Sequence, residues 1–278
     1  MTKIDGRAIA SAIIEDVRLG AKGRQLTIAA LYAGNDRSTL SYIKSKKKQS
    51  ARAGIELNII HMESDTEPDA FYSKVDELNN DRGTDGIIVE KPLPQQIDFK
   101  TVSQILDYKK DIDCITPVNN GKLITDEFEI APSTAMAVVN ILKYQKTDIT
   151  GKRAVIIGRS EIVGKPLSLL LVSKKLDNHA TVTLTHSRTR DLKAETRGAD
   201  IIIAAIGKPE FLRIEHISSQ KPMLIDVGIN YKSGRLCGDI DPRCYELASF
   251  YTPVPGGVGP VTVATLFSNL LKLKEIYG

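Results

Sequence analysis

Tyr42 and Lys46 stand four residues apart in STLSYIKSKKK. On a helix that spacing sets an aromatic face and a titratable amine one turn apart, where both can meet one ligand. Plain surface neighbours are the simpler alternative. The stretch DGIIVEKPLP, Asp85 to Pro94, adds a second group: GIIV reads as a buried strand that stops at adjacent opposite charges, Glu90 and Lys91, before two prolines. A carboxylate at the mouth of a buried strand needs a partner or a ligand. In KKDIDC, Asp111 and Asp113 flank Ile112, so alternation can turn one carboxylate inward and leave the other to solvent. An inward carboxylate can accept two parallel hydrogen bonds from an amidine edge such as that of an amino-pyrimidinone. An exposed loop Asp is the plain alternative.

A different chemistry is written in RAVIIGRSEIVGKP. Gly158 ends an apolar strand and Gly164 opens a helix six residues later, the outline of G-x-G-x-x-G with Ser160 in place of the middle glycine. Such a turn brings backbone close to a phosphate and aims the free N–H groups of a helix start at it. A second strand follows about 20 residues on, where NAD sites carry an acidic residue for the ribose hydroxyls. Here that strand ends in His186, Ser187 and Arg188, and Arg159 directly follows the first glycine. Donors and fixed positive charge favour NADP over NAD. Ordinary basic surface residues are the alternative.

These groups need a scaffold that brings strand ends together. Helical patterns from Ile9 to Leu19, Thr39 to Ala53 and Glu67 to Leu78 alternate with strands QLTIAALYA, IELNIIHM and GIIVE. Alternation of this kind predicts parallel strands joined by crossover helices, with ligands outside the C-terminal strand ends, where Glu90 lies. After a helix from Ser133 to Lys143 a second series begins: RAVIIG, TVTLTH, DIIIAAIG and MLIDVGIN. The expected fold is α/β with two domains. Residues 1–132, joined by a returning terminal helix at 261–278, form one with a mainly parallel sheet, and residues 133–260 form a Rossmann-type nucleotide domain.

Composition narrows the partners. With 42% hydrophobic and 26% charged residues the chain reads as an ordinary soluble protein. No apolar run approaches the ~18 residues of a membrane helix, and MTKIDGRAIA carries charges where a signal peptide needs an apolar core. A cytoplasmic protein without membrane partners is expected. Three scattered cysteines and no HExxH pattern give no reason to expect a metal. The net charge of +4 suits a polyanionic small molecule better than nucleic acid. Lys44 to Lys48 reads as a solvated helix face, with Lys46 the exception.

Taken together, IDGRAIA, Y-x-x-x-K at Tyr42 and Lys46, DGIIVEKPLP, KDID, GRSEIVGKP, THSRT, IDVGIN and TPVPGGVGPVTVATL resemble one family over essentially the whole chain. It is that of the bifunctional methylenetetrahydrofolate dehydrogenases/methenyltetrahydrofolate cyclohydrolases of one-carbon metabolism. The resemblance implies a folate cleft between the domains, NADP-dependent oxidation of 5,10-methylenetetrahydrofolate to the methenyl cation, and hydrolysis of that cation to 10-formyltetrahydrofolate. It implies Lys46 as the group that activates water, Tyr42 packed on the substrate, and Asp113 gripping the pterin edge. By the same resemblance Pro255, Gly256, Gly257 and Val261 line the folate site. Gly158, Arg159, Ser160, His186, Ser187 and Arg188 contact the phosphates, Val227 and Ile229 meet the nicotinamide end, and the protein is a homodimer. A monofunctional NADP-dependent methylenetetrahydrofolate dehydrogenase is the nearest alternative; another two-domain dehydrogenase or a non-catalytic sensor would lack TPVPGGVGP or have no use for Lys46 and Asp113.

Three positions depart from the family pattern. Glu90-Lys91 replaces the glutamine that opens Q-x-P-L-P, Ala131-Pro132-Ser133 replaces Cys-Thr-Pro, and Cys114 stands where a glycine follows the aspartate. The threonine hydroxyl near the nicotinamide must then come from Ser133 or Thr134, or be absent. The first departure bears on hydrolysis. A carboxylate about 4 to 6 Å from the amine favours the ammonium and thins the neutral lysine at pH 7 by tenfold or more. Pairing of Glu90 with Lys91, or Glu90 acting as the base, would offset that loss.

Overall fold

The structure, a computed structural model, describes residues 1–218 and 220–278, with only the backbone at 37, 38 and 41. In chain order the elements are β1 (Thr2–Lys3), α1 (Gly6–Gly20), β2 (Leu26–Ala33), α2 (Arg37–Arg52), β3 (Ile55–Met62), α3 (Pro68–Asn80), β4 (Gly86–Val89), α4 (Phe99–Ile105), α5 (Pro117–Ile124) and α6 (Ser133–Tyr144). They continue with β5 (Arg153–Ile157), α7 (Gly164–Leu171), β6 (Thr181–Thr185), α8 (Leu192–Arg197), β7 (Ile201–Ala204), β8 (Met223–Asp226), β9 (Asn230–Lys232), β10 (Arg235–Cys237), β11 (Phe250–Tyr251) and α9 (Val258–Tyr277).

Two compact units divide the chain. One comprises residues 11–133 and 263–278, the other residues 1–10 and 134–262. The first ten residues therefore cluster with the second unit instead of with residues 11–133, as the sequence suggested. The reason is a strand pairing: Thr2 and Lys3 run parallel to Phe250 and Tyr251, and Ile4 N donates to Tyr251 O at 2.9 Å.

In the unit of residues 11–133, a parallel sheet has the order β3-β2-β4. β2 is central and apolar along its length, as a strand covered on both faces must be, whereas the edge strand β3 alternates buried and exposed residues at its start. Its core gathers Ala29, Leu31, Phe71, Val75, Ile87 and Val102. Gly86 permits a close approach: a Cβ there would lie 2.6 Å from Ile112 Cγ2 and 2.8 Å from Leu270 Cδ1. Only glycine lets both the 110–113 segment and α9 pack across β4.

The other unit holds a six-stranded sheet, parallel throughout, of order β1-β11-β8-β7-β5-β6. Strands β5, β7 and β8 are short apolar runs buried almost throughout. An antiparallel hairpin, β9 with β10, follows β8.

Candidate active site

Helix α2 starts at Asp36, whose carboxylate accepts from Thr39 N at 2.8 Å and caps the helix. Thr39 Oγ1 in turn donates to Lys91 O at 3.1 Å, which ties the first turn of α2 to the segment after β4. Two turns further along, that tether brings Lys46 onto Glu90. Lys46 Nζ donates to both carboxylate oxygens of Glu90, at 2.6 and 2.8 Å, and both residues are buried, 7% and 6% exposed. Glu90 N extends the β ladder by donating to Leu31 O at 2.9 Å, so the carboxylate is set by the sheet itself. The Lys91 ammonium lies 3.2 Å from the centroid of the Phe99 ring, while both Glu90 oxygens face Lys46.

Tyr42 completes one wall: the Lys46 ammonium is 4.9 Å from the centroid of its ring. Burial, and then the negative charges of Glu90 and Asp113, push the Tyr42 hydroxyl well above its ordinary range, so it stays protonated.

Alternation in KDID leaves open which aspartate turns inward; the structure assigns them separate tasks. Asp111 is fully buried and accepts from Ile115 N at 2.9 Å, Thr116 N at 2.8 Å and Asn119 Nδ2 at 3.0 Å, which folds the loop leading into α5. Asp113 is only half-buried, and its neighbours include Lys46, Glu90 and Ser133. Burial pushes its carboxyl up to about 6, against the pull of Lys46 and of the Ser133 hydroxyl toward the charged form. Cys114 adopts φ 57°, a left-handed conformation that explains the family's preference for glycine there.

Two groups that the motifs do not display hold this corner. Asn269 on α9 is buried, and its Nδ2 donates to Ile112 O and to Ala131 O, both at 2.9 Å. Ser133, at the start of α6, is 1% exposed. Among the described residues, its Oγ is a buried side-chain atom that completes no hydrogen bond. A single Asn within the apolar run TLFSNLLKL was the available signal for the first.

The nucleotide turn lies in the other unit. Gly158 has φ 119°, and a Cβ on Gly164 would sit 1.9 Å from Gly158 O, so strand end and helix start touch backbone to backbone. At the start of α7, Gly164 N donates to Ser160 Oγ at 3.4 Å and Lys165 N to Ser160 O at 3.0 Å, and Pro166 has no N–H, so Ser160 folds the turn onto the helix. Arg159 and Ser160 are exposed on the turn, and Ser187 and Arg188 are exposed beyond β6. His186 Nδ1 accepts from Arg188 N at 3.1 Å, which fixes the proton on Nε2 as a donor. Close glycines and clustered basic donors fit a dinucleotide phosphate. After β8, Asp226 accepts from Gly228 N, Asp239 N and Ile240 N, and this shapes the loop that carries half-buried Val227 and exposed Ile229. Pro255 and Gly256 line a cavity of about 350 Å³ with Lys3, Asp5 and Arg7, whereas Gly257 and Val261 are buried.

One α/β unit thus carries a glycine turn of the kind that fits a dinucleotide, and the other a buried lysine–carboxylate pair beside a tyrosine and an aspartate, the groups of a nucleotide-dependent enzyme. Residues 4–113 match the tetrahydrofolate dehydrogenase/cyclohydrolase catalytic domain, and residues 132–277 match the NAD(P)-binding domain of the same proteins. The chain belongs to the tetrahydrofolate dehydrogenase/cyclohydrolase family. It is 39% identical to a bifunctional protein FolD of Halothermothrix orenii over 99% of this chain and 98% of that one. The bifunctional FolD enzyme of Campylobacter jejuni superposes with a TM-score of 0.92 at 34% identity, covering 99% of each chain. That of Trypanosoma brucei, solved with NADP cofactor and inhibitor, gives 0.89 at 33% identity over 100% of this chain and 99% of that one.

Proposed function

We propose that the site of Tyr42, Lys46, Glu90 and Asp113 binds folate and that Glu90 makes hydrolysis the weaker of two activities near neutral pH. As a family member the chain is an NADP-dependent 5,10-methylenetetrahydrofolate dehydrogenase and methenyltetrahydrofolate cyclohydrolase, and its bifunctional relatives favour this over a monofunctional dehydrogenase. NADP supplies the hydride acceptor, held by the turn at Gly158, Arg159 and Ser160 and by His186, Ser187 and Arg188, with Val227 and Ile229 toward its nicotinamide end. The protein's share of that step is placement. Asp113, as a carboxylate, accepts two hydrogen bonds from the amino-pyrimidinone edge, Tyr42 packs on the substrate, and Pro255, Gly256, Gly257 and Val261 are the loop residues assigned to folate binding.

Hydrolysis asks more of the side chains. Water adds to the cationic carbon of the methenyl group, and one water proton passes to neutral Lys46 and on to solvent. As the C–N5 bond breaks, the proton of the adduct's hydroxyl moves to N5, leaving the 10-formyl group. The observation that carries the proposal is the two-pronged Lys46–Glu90 contact, because an amine held by a buried carboxylate must give up that contact before it can serve a water. Measuring NADPH formation and methenyl hydrolysis side by side, with wild type and Lys46→Ala, tests it. Expected are strong oxidation and slow hydrolysis in the first, and oxidation without hydrolysis in the second; absence of both activities in wild type would refute it.

The reading extends to a homodimer acting in the cytoplasm. Among the described residues no helix is long and apolar enough to cross a membrane. Sedimentation at micromolar concentration checks the dimer.

A further inference from the structure

Asp113 sits in a corner built by residues far from it in sequence. Asn269 donates to the carbonyl of Ile112, one residue before Asp113, and to that of Ala131, two residues before Ser133. Cys114 Sγ, on the other side of Asp113, lies 3.9 Å from Ile130 O. The 112–114 and 130–133 segments are thus laced together, and Ser133 lies beside the Asp113 carboxyl. Its hydroxyl is buried with no acceptor among the described residues. A buried O–H without a partner is disfavoured, and the Asp113 carboxylate is the acceptor beside it.

We propose that Ser133 and Asn269 are positioning residues for Asp113: Asn269 fixes the two backbone segments against each other, and Ser133 donates to the carboxylate oxygen and holds its plane for the two-pronged grip on the pterin. The proposal rests on the folate reading of the site. Neither residue touches the reacting atoms. Ser133 donates through its O–H, so its effect reaches the substrate only through the charge and orientation of Asp113, on which Lys46, Glu90 and Asp111 also act.

The test compares wild type, Ser133→Ala and Ser133→Thr. Without the hydroxyl, Asp113 loses one of the groups that favour its charged form. In Ser133→Ala the acid limb of kcat/KM for methylenetetrahydrofolate moves upward by about 0.5 to 1 pH unit, and KM for the folate rises about tenfold, by the worth of one hydrogen bond to a charged group. KM for NADP stays as in wild type, because the loss falls on Asp113. Ser133→Thr restores the limb. A 13C NMR titration of the Asp113 carboxyl, in wild type and Ser133→Ala without substrate, gives the same shift independently of catalysis. An unmoved titration, or a rise in KM for NADP alone, overturns the proposal; loss of folate oxidation in wild type with a shifted titration overturns the folate reading and leaves the positioning intact.

Discussion

Replacing Glu90 by Gln keeps the shape of the side chain and one acceptor for Lys46 while removing the charge. In the wild-type site both Glu90 oxygens accept from Lys46, at 2.6 and 2.8 Å, and both side chains are buried. A hydrogen bond between charged groups is worth about 1.5 to 3 kcal/mol, and the amine must give up this contact before it can serve a water. Some of that is returned by relaxation, so a ten- to hundredfold faster hydrolysis at pH 7 is expected for Glu90→Gln. The assay follows loss of methenyltetrahydrofolate absorbance from pH 6 to 10, corrected for the uncatalysed reaction, with the oxidation rate as a control that changes by less than about threefold. An unchanged rate and profile would refute the reasoning. A rate that falls to background would assign the base to Glu90.

Lys46→Met strands a buried carboxylate and should lower unfolding free energy by about 3 to 5 kcal/mol, most of it recovered in Lys46→Met/Glu90→Leu; urea denaturation of both variants checks this. Asp113 carries a carboxyl pushed up to about 6, so it protonates as pH falls through that value and loses its grip: kcat/KM for folate should drop below pH about 6, and Asp113→Asn should abolish the limb and raise KM severalfold to a hundredfold. Because this carboxyl is harder to ionise folded than unfolded, the native state binds the extra proton between about pH 4 and 6, and its contribution to stability declines as pH rises across that window. Arg159→Ala should raise KM for NADP about tenfold or more while changing that for NAD little, read from initial rates with each cofactor.

Much of the site was legible because it obeys local periodicity. Tyr42 and Lys46 share a helix face, and Glu90 terminates a strand, so their types and spacing already implied a meeting at one sheet edge. The choice between Asp111 and Asp113 was not legible, since it depends on backbone N–H groups of a loop that turns back at Ile115 and Thr116. Asn269 was less so, because its partner Ile112 lies 157 residues away and no pattern in α9 names it. The misplaced first ten residues have the same cause: a two-residue strand carries no periodicity, and only its pairing with Phe250 and Tyr251 reveals where it goes.

That pairing has a consequence for how the molecule is made. One unit joins residues 1–10 to 134–262, and the other joins 11–133 to 263–278. On the ribosome, residues 11–133 emerge long before α9 can bring Asn269 and Leu270 to the loop and strand they cover, so this unit waits for residues 263–278. The corner around Asp113 is therefore completed only once α9 has emerged, and a fragment ending before residue 263 should expose the face of β4 that α9 covers and turn to chaperones or aggregate.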